Sequence, residues 1–483
     1  MFASKTHNQA DWYEALENLH ISHKQSEFWN AQRAEPAFAE GSAKEGESKG
    51  IHKHSYHLTK ELAEPMFAST QAYARMSKEQ TLMALSALSV KQITSANEIV
   101  IHRESHGRFS EPFGLDLSRS VNWHTALFPQ KVVLSDGVSE LLACVKDGSH
   151  AISDGGLSYS AGVVQQQWQY QGNVDVLFNF LGRATQADVK GAELGEFGLW
   201  RPENAKADAA IALNISETDE GFDVELEFSL SALSKSECDA YVHHLEAAIK
   251  AVTEHCTSNQ AVLTQADAPN TNLSLATLSH VSGNAHQLPN QILPLSTLQQ
   301  GLYFHAQLSQ ETSTYVNQIT LPISGADASQ LEEGWKALMK RHSILRSTLH
   351  QVEGQAHLYV WDDLPITSRV FDGREEVGFE LESYKRSLIE QGFELEQDAS
   401  AQQLKPLWRV DLVTMGDNEI ACIFTIHHIL MDGWSTGVLL SELFAHYQNM
   451  SLPVVSHDFA DYLEWVVQLS LIHISEPTRQ SSI

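Results

Sequence analysis

The eight residues EIACIFTI, Glu419 to Ile426, constrain the fold of this chain more than any other stretch. They are almost continuously apolar, which predicts a central strand covered on both faces. The preceding WRVDLVTM, Trp408 to Met415, meets it across Gly-Asp-Asn, a strong turn signal, so the two read as a hairpin. The strand then runs into HHILMDGWS, a histidine pair followed by Asp432-Gly433. A buried strand ending this way fixes one imidazole at the floor of a cleft. Gly433 permits a sharp turn there, and Asp432 is placed to hold the loop by pairing with an arginine. A near-neutral imidazole can take the proton of an attacking amine or hydroxyl. The chain carries its own control: VHHLEAAI, Val242 to Ile249, also has two adjacent histidines but continues as a helix without Asp-Gly, and reads as a helical surface feature.

Strand and helix patterns interleave along the rest of the chain, which places it in the α/β class. Ser77 to Val90 reads as a helix capped by Ser77, and Asn97 to His102 as a short buried strand delivering Glu104 beyond its end. Phe222 to Phe228 alternates as a half-buried strand, and Ser234 to Cys256 as an amphipathic helix. Residues 30–50 are small and charged, as in a surface loop. Residues 257–290 are rich in Asn, Ser, Thr and Gln and read as a linker at a domain boundary. Beyond it, Tyr315 to Ile323 reads as a strand. Asp327 to His342 reads as a helix with Leu331, Trp335, Leu338 and Met339 on one stripe.

Charge excludes one class of function. Asp and Glu number 61 against 32 Lys and Arg, a net charge of -29, whereas a nucleic-acid backbone calls for a positive footprint. The four cysteines lack framework spacing and read as reduced thiols. Neither a secretory start nor an apolar run of the ~20 residues needed to span a bilayer is visible, so no membrane role and a cytoplasmic location are expected. His52, His54 and His57 lack further ligands, and read as a solvated strand face rather than a metal site.

HHILMDGWS resembles the HHxxxDG signature of nonribosomal peptide synthetase condensation domains, of the chloramphenicol-acetyltransferase-like superfamily. LPLSTLQQGLYFH (Leu293 to His305), RHSILR (Arg341 to Arg346, with Ser343 for the usual Glu) and DFADYLEWVVQ (Asp458 to Gln468) resemble flanking motifs in the same order. The resemblance implies that His428 is catalytic, that His427 supports it, and that Asp432 is mainly structural. It also implies that Gly433 offers a backbone N–H to developing charge, and that Trp434 borders the substrate pocket. The reaction implied is attack by a carrier-bound aminoacyl amine on a carrier-bound thioester.

Upstream, ESHGR (Glu104 to Arg108), DLSRSVNWHTALFP (Asp116 to Pro129), SDGGLSYSAG (Ser153 to Gly162) and VLFNFLGR (Val176 to Arg183) resemble motifs of synthetase epimerization domains. There the resemblance makes Glu104 the acid/base that moves the α-proton of a carrier-bound aminoacyl thioester, and Asn179 a substrate-pocket residue. Ser105, Asn122 and His124 depart from the motifs, by replacing Gly, Gly and Phe.

Both families are built from two similar lobes. The motifs here imply an α/β chain of two chloramphenicol-acetyltransferase-like half-domains. Residues 1–54 form a partial connector, 55–256 the C-terminal lobe of an epimerization domain, 257–290 the linker, and 291–468 the N-terminal lobe of a condensation domain. Each site then has half its residues, and the isolated chain is expected to be inactive. No cofactor is bound directly in this reading. Substrates ride on the phosphopantetheine of peptidyl carrier domains, which with adenylation domains are the implied partners. A carrier-docking module and a stand-alone coenzyme A-dependent acyltransferase are the alternatives. LSLIHISEPTR, within 469–483, looks like a translated sequencing-library adapter and is left out of the fold expectation.

Overall fold

The computed structural model describes residues 7–38, 50–110, 113–152, 154–168, 174–183, 207–309 and 311–466. The expectation for 469–483 falls outside them. The chain divides into two compact units, Met1–Ala266 and Asp267–Ile483.

The first unit opens with helices α1 (Gln9–Asn18) and α2 (His23–Ala31), each closed at its start by a reciprocal capping box, from Asn8 and Ser22. Its sheet contains β1 (Ile51–Thr59), β2 (Glu98–Ser105), β3 (Ala126–Val133), β4 (Val176–Arg183), β5 (Ile211–Glu217) and β6 (Gly221–Ser229), in the order β1-β6-β5-β4-β2-β3. The β2–β4 and β4–β5 pairs are parallel, and the other pairs are antiparallel. Helices α3 (Lys60–Ala74), α4 (Lys78–Ile93), α5 (Val138–His150) and α7 (Lys235–Ser258) pack on one face of this sheet, whereas α6 (Leu157–Val164) lies against α1. The core between helices and sheet takes alternate strand residues, among them Ile99, Ile101, Phe178, Leu213, Val224 and Leu226. Residues of the opposite parity, Glu104, Asn179, Asn214 and Glu225, therefore point to the other face.

Several sequence expectations change here. Strand β2 runs on to Ser105, so Glu104 is part of the strand rather than beyond it. The segment expected as a loop after residue 30 is anchored at Ala37 and Phe38, whose N–H groups donate to buried Asp175 at 2.7 and 3.3 Å. His52 and His54 share β1 with His57 but not its face, since they stand opposite Phe228 and Leu226 while His57 stands opposite Asp223. Among the described residues no cluster of metal-ligating side chains occurs.

The second unit begins inside the expected linker. Helix α8 (Leu275–Asn284) occupies its middle, and Leu273, Leu278 and Ala285 are buried. Low periodicity there reflected a short helix burying few residues, not an absence of structure. A three-stranded sheet follows, from β7 (Gln291–Pro294), β9 (Ser347–Val352) and β10 (Gln355–Val360), in the order β7-β10-β9. The second sheet joins β8 (Val316–Ser324), β11 (Ser368–Asp372), β12 (Trp408–Gly416) and β13 (Glu419–His427) in the order β11-β12-β13-β8. The expected hairpin is β12–β13, and every residue of β13 after Glu419 is buried.

Around these sheets lie α9 (Thr297–Ser309), α10 (Ala328–Arg341), α11 (Leu381–Gln391) and α12 (Gly433–Tyr447). The Trp335 ring on α10 stacks on Phe424 of β13 with centroids 4.6 Å apart, which seats the helix on the central strand. Gly334 lets α10 and α12 approach, because a Cβ there would stand 2.8 Å from Leu443. Among the described residues no helix is long and apolar enough to cross a membrane.

Candidate functional site

In the second unit β13 ends at His427, and the two histidines take opposite tautomers. The buried His427 ring accepts from the Ile429 N–H at Nδ1, 3.2 Å away, so its proton sits on Nε2. Burial pushes this imidazole down to about 4, and it is neutral at physiological pH. His428 is half-buried, and its Nδ1 lies 2.9 Å from the Met431 carbonyl. A carbonyl only accepts, so Nδ1–H donates and the lone pair lies on Nε2. The His428 backbone N–H donates to Tyr315 at 2.9 Å, which ties this residue to the start of β8. Buried Gln299 of α9 donates its side-chain amide to the Ile429 carbonyl at 2.9 Å and holds the loop from beneath.

Asp432 was expected to pair with an arginine; instead it caps α12. Its carboxylate accepts from the Ser435 N–H at 2.8 Å and the Ser435 hydroxyl at 2.7 Å. Those bonds hold it below the usual carboxylate range. Gly433 makes no sharp turn. It is the first residue of α12, has no positive φ, and a Cβ there would meet nothing within 4 Å. Its N–H is among the free donors of the first helical turn, at the positive end of the helix dipole.

A cavity of about 470 Å³ opens here, lined by His428, Met431, Trp434, Leu302, Ile344 and Phe459 among others. Trp434 borders it while remaining 85 % exposed. His342 also lines it and is held by Glu442 of α12, which accepts from His342 Nε2 at 2.6 Å and from Arg341 Nε at 3.0 Å. Ser343, the departure within RHSILR, reaches Asp458 at 3.4 Å. Neither Gln299 nor Glu442 was singled out from the sequence. Gln299 lies within the LPLSTLQQGLYFH stretch, whereas Glu442 lies far from its partners in the chain.

In the first unit Glu104 is half-buried on β2, and burial raises its carboxyl above the usual range, helped by the negative charge of Asp208. Arg108 does not pair with Glu104. Its guanidinium donates to the carbonyls of Leu117 and Ser120, both at 2.7 Å, and of Asn122 at 2.9 Å, which clasps ESHGR to DLSRSVN. Gly107 has φ +62°, and a Cβ there would lie 1.7 Å from the His124 carbonyl oxygen, so only glycine fits. The three departures are built in. The Ser105 hydroxyl donates to the Gly155 carbonyl at 2.6 Å, Asn122 supplies a carbonyl to Arg108, and buried His124 bonds the Ser120 hydroxyl at 3.0 Å. Asn179 donates its amide to Asn214 Oδ1 at 3.3 Å.

The family model for the condensation domain matches residues 3–271 and 290–473. The chain belongs to the condensation domain family. This condensation-family chain is 24% identical over 469 residues to bacitracin synthase 3 of Bacillus licheniformis, covering 92% of itself and 7% of that protein. It is 27% identical over 497 residues to one of the linear gramicidin synthase proteins of Brevibacillus parabrevis, covering 96% of itself and 10% of that protein. The chain thus spans a tenth or less of the length of these curated relatives. A solved epimerization domain from the third module of tyrocidine synthetase B superposes with a TM-score of 0.44 at 17% identity, over 53% of this chain and 62% of that one. The fold of the condensation family is α/β, with two chloramphenicol-acetyltransferase-like lobes. Its members form peptide bonds between substrates borne on phosphopantetheine.

Proposed function

We propose that the chain is a segment of a nonribosomal peptide synthetase, in which the first unit serves L-to-D epimerization of a tethered residue and the second serves its condensation with the next. The observation that carries the reading is the tautomer of His428: Nδ1–H is held by the Met431 carbonyl, which leaves the Nε2 lone pair free beside an adjoining cavity. That nitrogen accepts a proton from the acceptor amine as the amine attacks the donor thioester carbonyl. The carbon–nitrogen bond forms, the carbon–sulfur bond breaks, and the thiolate of the donor arm leaves and takes up a proton. The Gly433 N–H at the start of α12 offers a donor to the oxygen that gains charge.

For epimerization, burial raises the Glu104 carboxyl above the usual range and makes its carboxylate a stronger base than an exposed one, which suits a group that moves a proton at an α-carbon. Asn179 borders that position, one strand away on the same face. The returning proton calls for a second group on the opposite side of the α-carbon, the role the family gives to the histidine of HHxxxDG. The first unit has no such motif, and the second has no counterpart of ESHGR. Each unit therefore supplies half of a site, and the isolated chain should turn over neither reaction. Peptidyl carrier domains deliver both substrates in this reading, and adenylation domains load them.

A carrier-docking role alone is the second reading, favoured only by that incompleteness. The experiment is chiral analysis of the peptide released by a synthetase holding this sequence. Glu104→Gln should replace the D-residue by its L-form. A D-residue formed at the normal rate would remove the epimerization reading.

A further inference from the structure

Tyr315 has φ +60°, and among the described residues it is the only aromatic residue at a positive φ. A Cβ crowds the carbonyl oxygen in that conformation, so glycine and asparagine normally take such positions. The sequence pattern puts Tyr315 at the head of a strand, but β8 starts one residue later, at Val316. Tyr315 instead occupies the third position of a turn, closed by the Val316 N–H donating to the Ser313 carbonyl at 3.2 Å. Thr314, the second position, has no positive φ. That is the pattern of a type II turn, whose third position calls for glycine or asparagine.

The turn is held from several sides. The Thr312 carbonyl accepts from the Phe393 N–H at 3.0 Å, and the Thr314 N–H donates to the Glu311 carbonyl at 3.2 Å. The hydroxyls of Ser309 and Thr314 bond at 2.6 Å. Gly392 lets the chain after α11 close on the turn, because a Cβ there would lie 1.9 Å from the Thr312 carbonyl oxygen. None of these bonds uses the Tyr315 side chain, whose hydroxyl has no hydrogen-bond partner among the described residues. The side chain therefore gives no reason for the conformation.

The backbone does. The Tyr315 carbonyl accepts the His428 backbone N–H at 2.9 Å, one residue past the last pair of the β13–β8 ladder, His427 with Val316. That bond fixes His428 at its backbone, and the Met431 carbonyl fixes it at the ring, 2.9 Å from Nδ1. We infer that Tyr315 is a positioning residue for His428 and acts through its backbone. The left-handed conformation aims its carbonyl at the His428 N–H, and this anchor keeps the ring on the Met431 carbonyl with Nε2 free. Strained residues persist where the surrounding structure over-determines them, and they cluster at functional sites. The inference rests on His428 being the proton acceptor of the proposed condensation. It adds the residue whose conformation sets where that acceptor stands.

The test separates backbone conformation from side chain. Tyr315→Val disfavours a positive φ, whereas Tyr315→Gly and Tyr315→Asn accept it. The first readout is NMR of the complete 483-residue chain with nitrogen-15-labelled histidine, at alkaline pH, where imidazoles are neutral. The His428 signals are identified by their loss in His428→Ala. They should report Nδ1–H in the unaltered chain, a mixture of tautomers in Tyr315→Val, and Nδ1–H again in Tyr315→Gly and Tyr315→Asn. The second readout is single-turnover transfer in a synthetase holding this sequence, with both carrier domains preloaded. Tyr315→Val should slow it about tenfold or more, since small displacements of a reacting group cost that much. Tyr315→Gly should restore most of the rate. Tyr315→Ala, which also disfavours a positive φ, takes the place of Tyr315→Val if that variant does not fold. An unaltered His428 tautomer in folded Tyr315→Val or Tyr315→Ala overturns the inference, and so does a Tyr315→Gly protein that behaves as Tyr315→Val does. The tautomer readout needs no turnover. Full transfer by a His428→Ala synthetase would therefore sink the condensation reading while leaving the Tyr315 result to stand or fall by itself.

Discussion

Lowering the pH from 7.5 to 5 should destabilise the second unit strongly, because burial pushes down the imidazoles of His350, His357 and His427. His350 and His427 alone set a lower bound on the effect. Burial pushes both His350 and His427 from an ordinary value of 6.5 down to about 4 in the folded chain. The unfolded chain therefore takes up protons first. The stability that comes from keeping these rings neutral is fully present above pH 6.5 and is lost as the pH falls towards 4. At pH 5 each histidine costs about 2 kcal/mol, so the pair costs about 4 kcal/mol, a large part of the stability of an ordinary domain. Buried Asp411 works the other way, because burial raises its carboxyl and protonation favours the folded state. At pH 5 the carboxylates held low by hydrogen bonds, Asp432 and Glu442 among them, are still ionised and do not contribute. The assay is urea denaturation at the two pH values, read by amide hydrogen exchange on peptides from β9, β10 and β13. His350→Gln should remove about 2 kcal/mol of the pH dependence. Equal midpoints at pH 5 and 7.5, or an undiminished pH dependence in His350→Gln, would refute the reasoning.

Two further outcomes follow from local geometry. Asp432→Ala removes the cap of α12 and should cost about 1 kcal/mol, seen as faster amide exchange in its first turn and a lower urea midpoint. Gly107→Ala puts a methyl group against the His124 carbonyl at a positive φ, and should cost more than about 1 kcal/mol in the first unit by the same measurement.

The α/β class and the principal elements could be read from the sequence because their signals were local. The apolar run of β13, the Gly-Asp-Asn turn, the Ser77 cap and the Leu331–Trp335–Leu338 stripe each act within a few residues. What failed was of two kinds, a local cap misread as a turn and partners distant in the chain. Asp432 was expected to meet an arginine, but a serine three residues on was a nearer donor for it. Gly433 was expected to turn the chain, yet the cap starts a helix there. The segment after residue 30 looked unanchored because its anchor, Asp175, lies far along the sequence.

The central claim is that His428 takes the proton of the attacking amine, and peptide-bond formation by a synthetase holding this sequence tests it most directly. The measurement is single-turnover mass spectrometry of the acceptor carrier domain, with both carrier domains preloaded, for the unaltered protein and for His428→Ala. If His428 takes that proton, His428→Ala slows transfer of the donor to the acceptor by about 10²-fold or more, with carrier loading unchanged. Transfer at the unaltered rate in His428→Ala would contradict it.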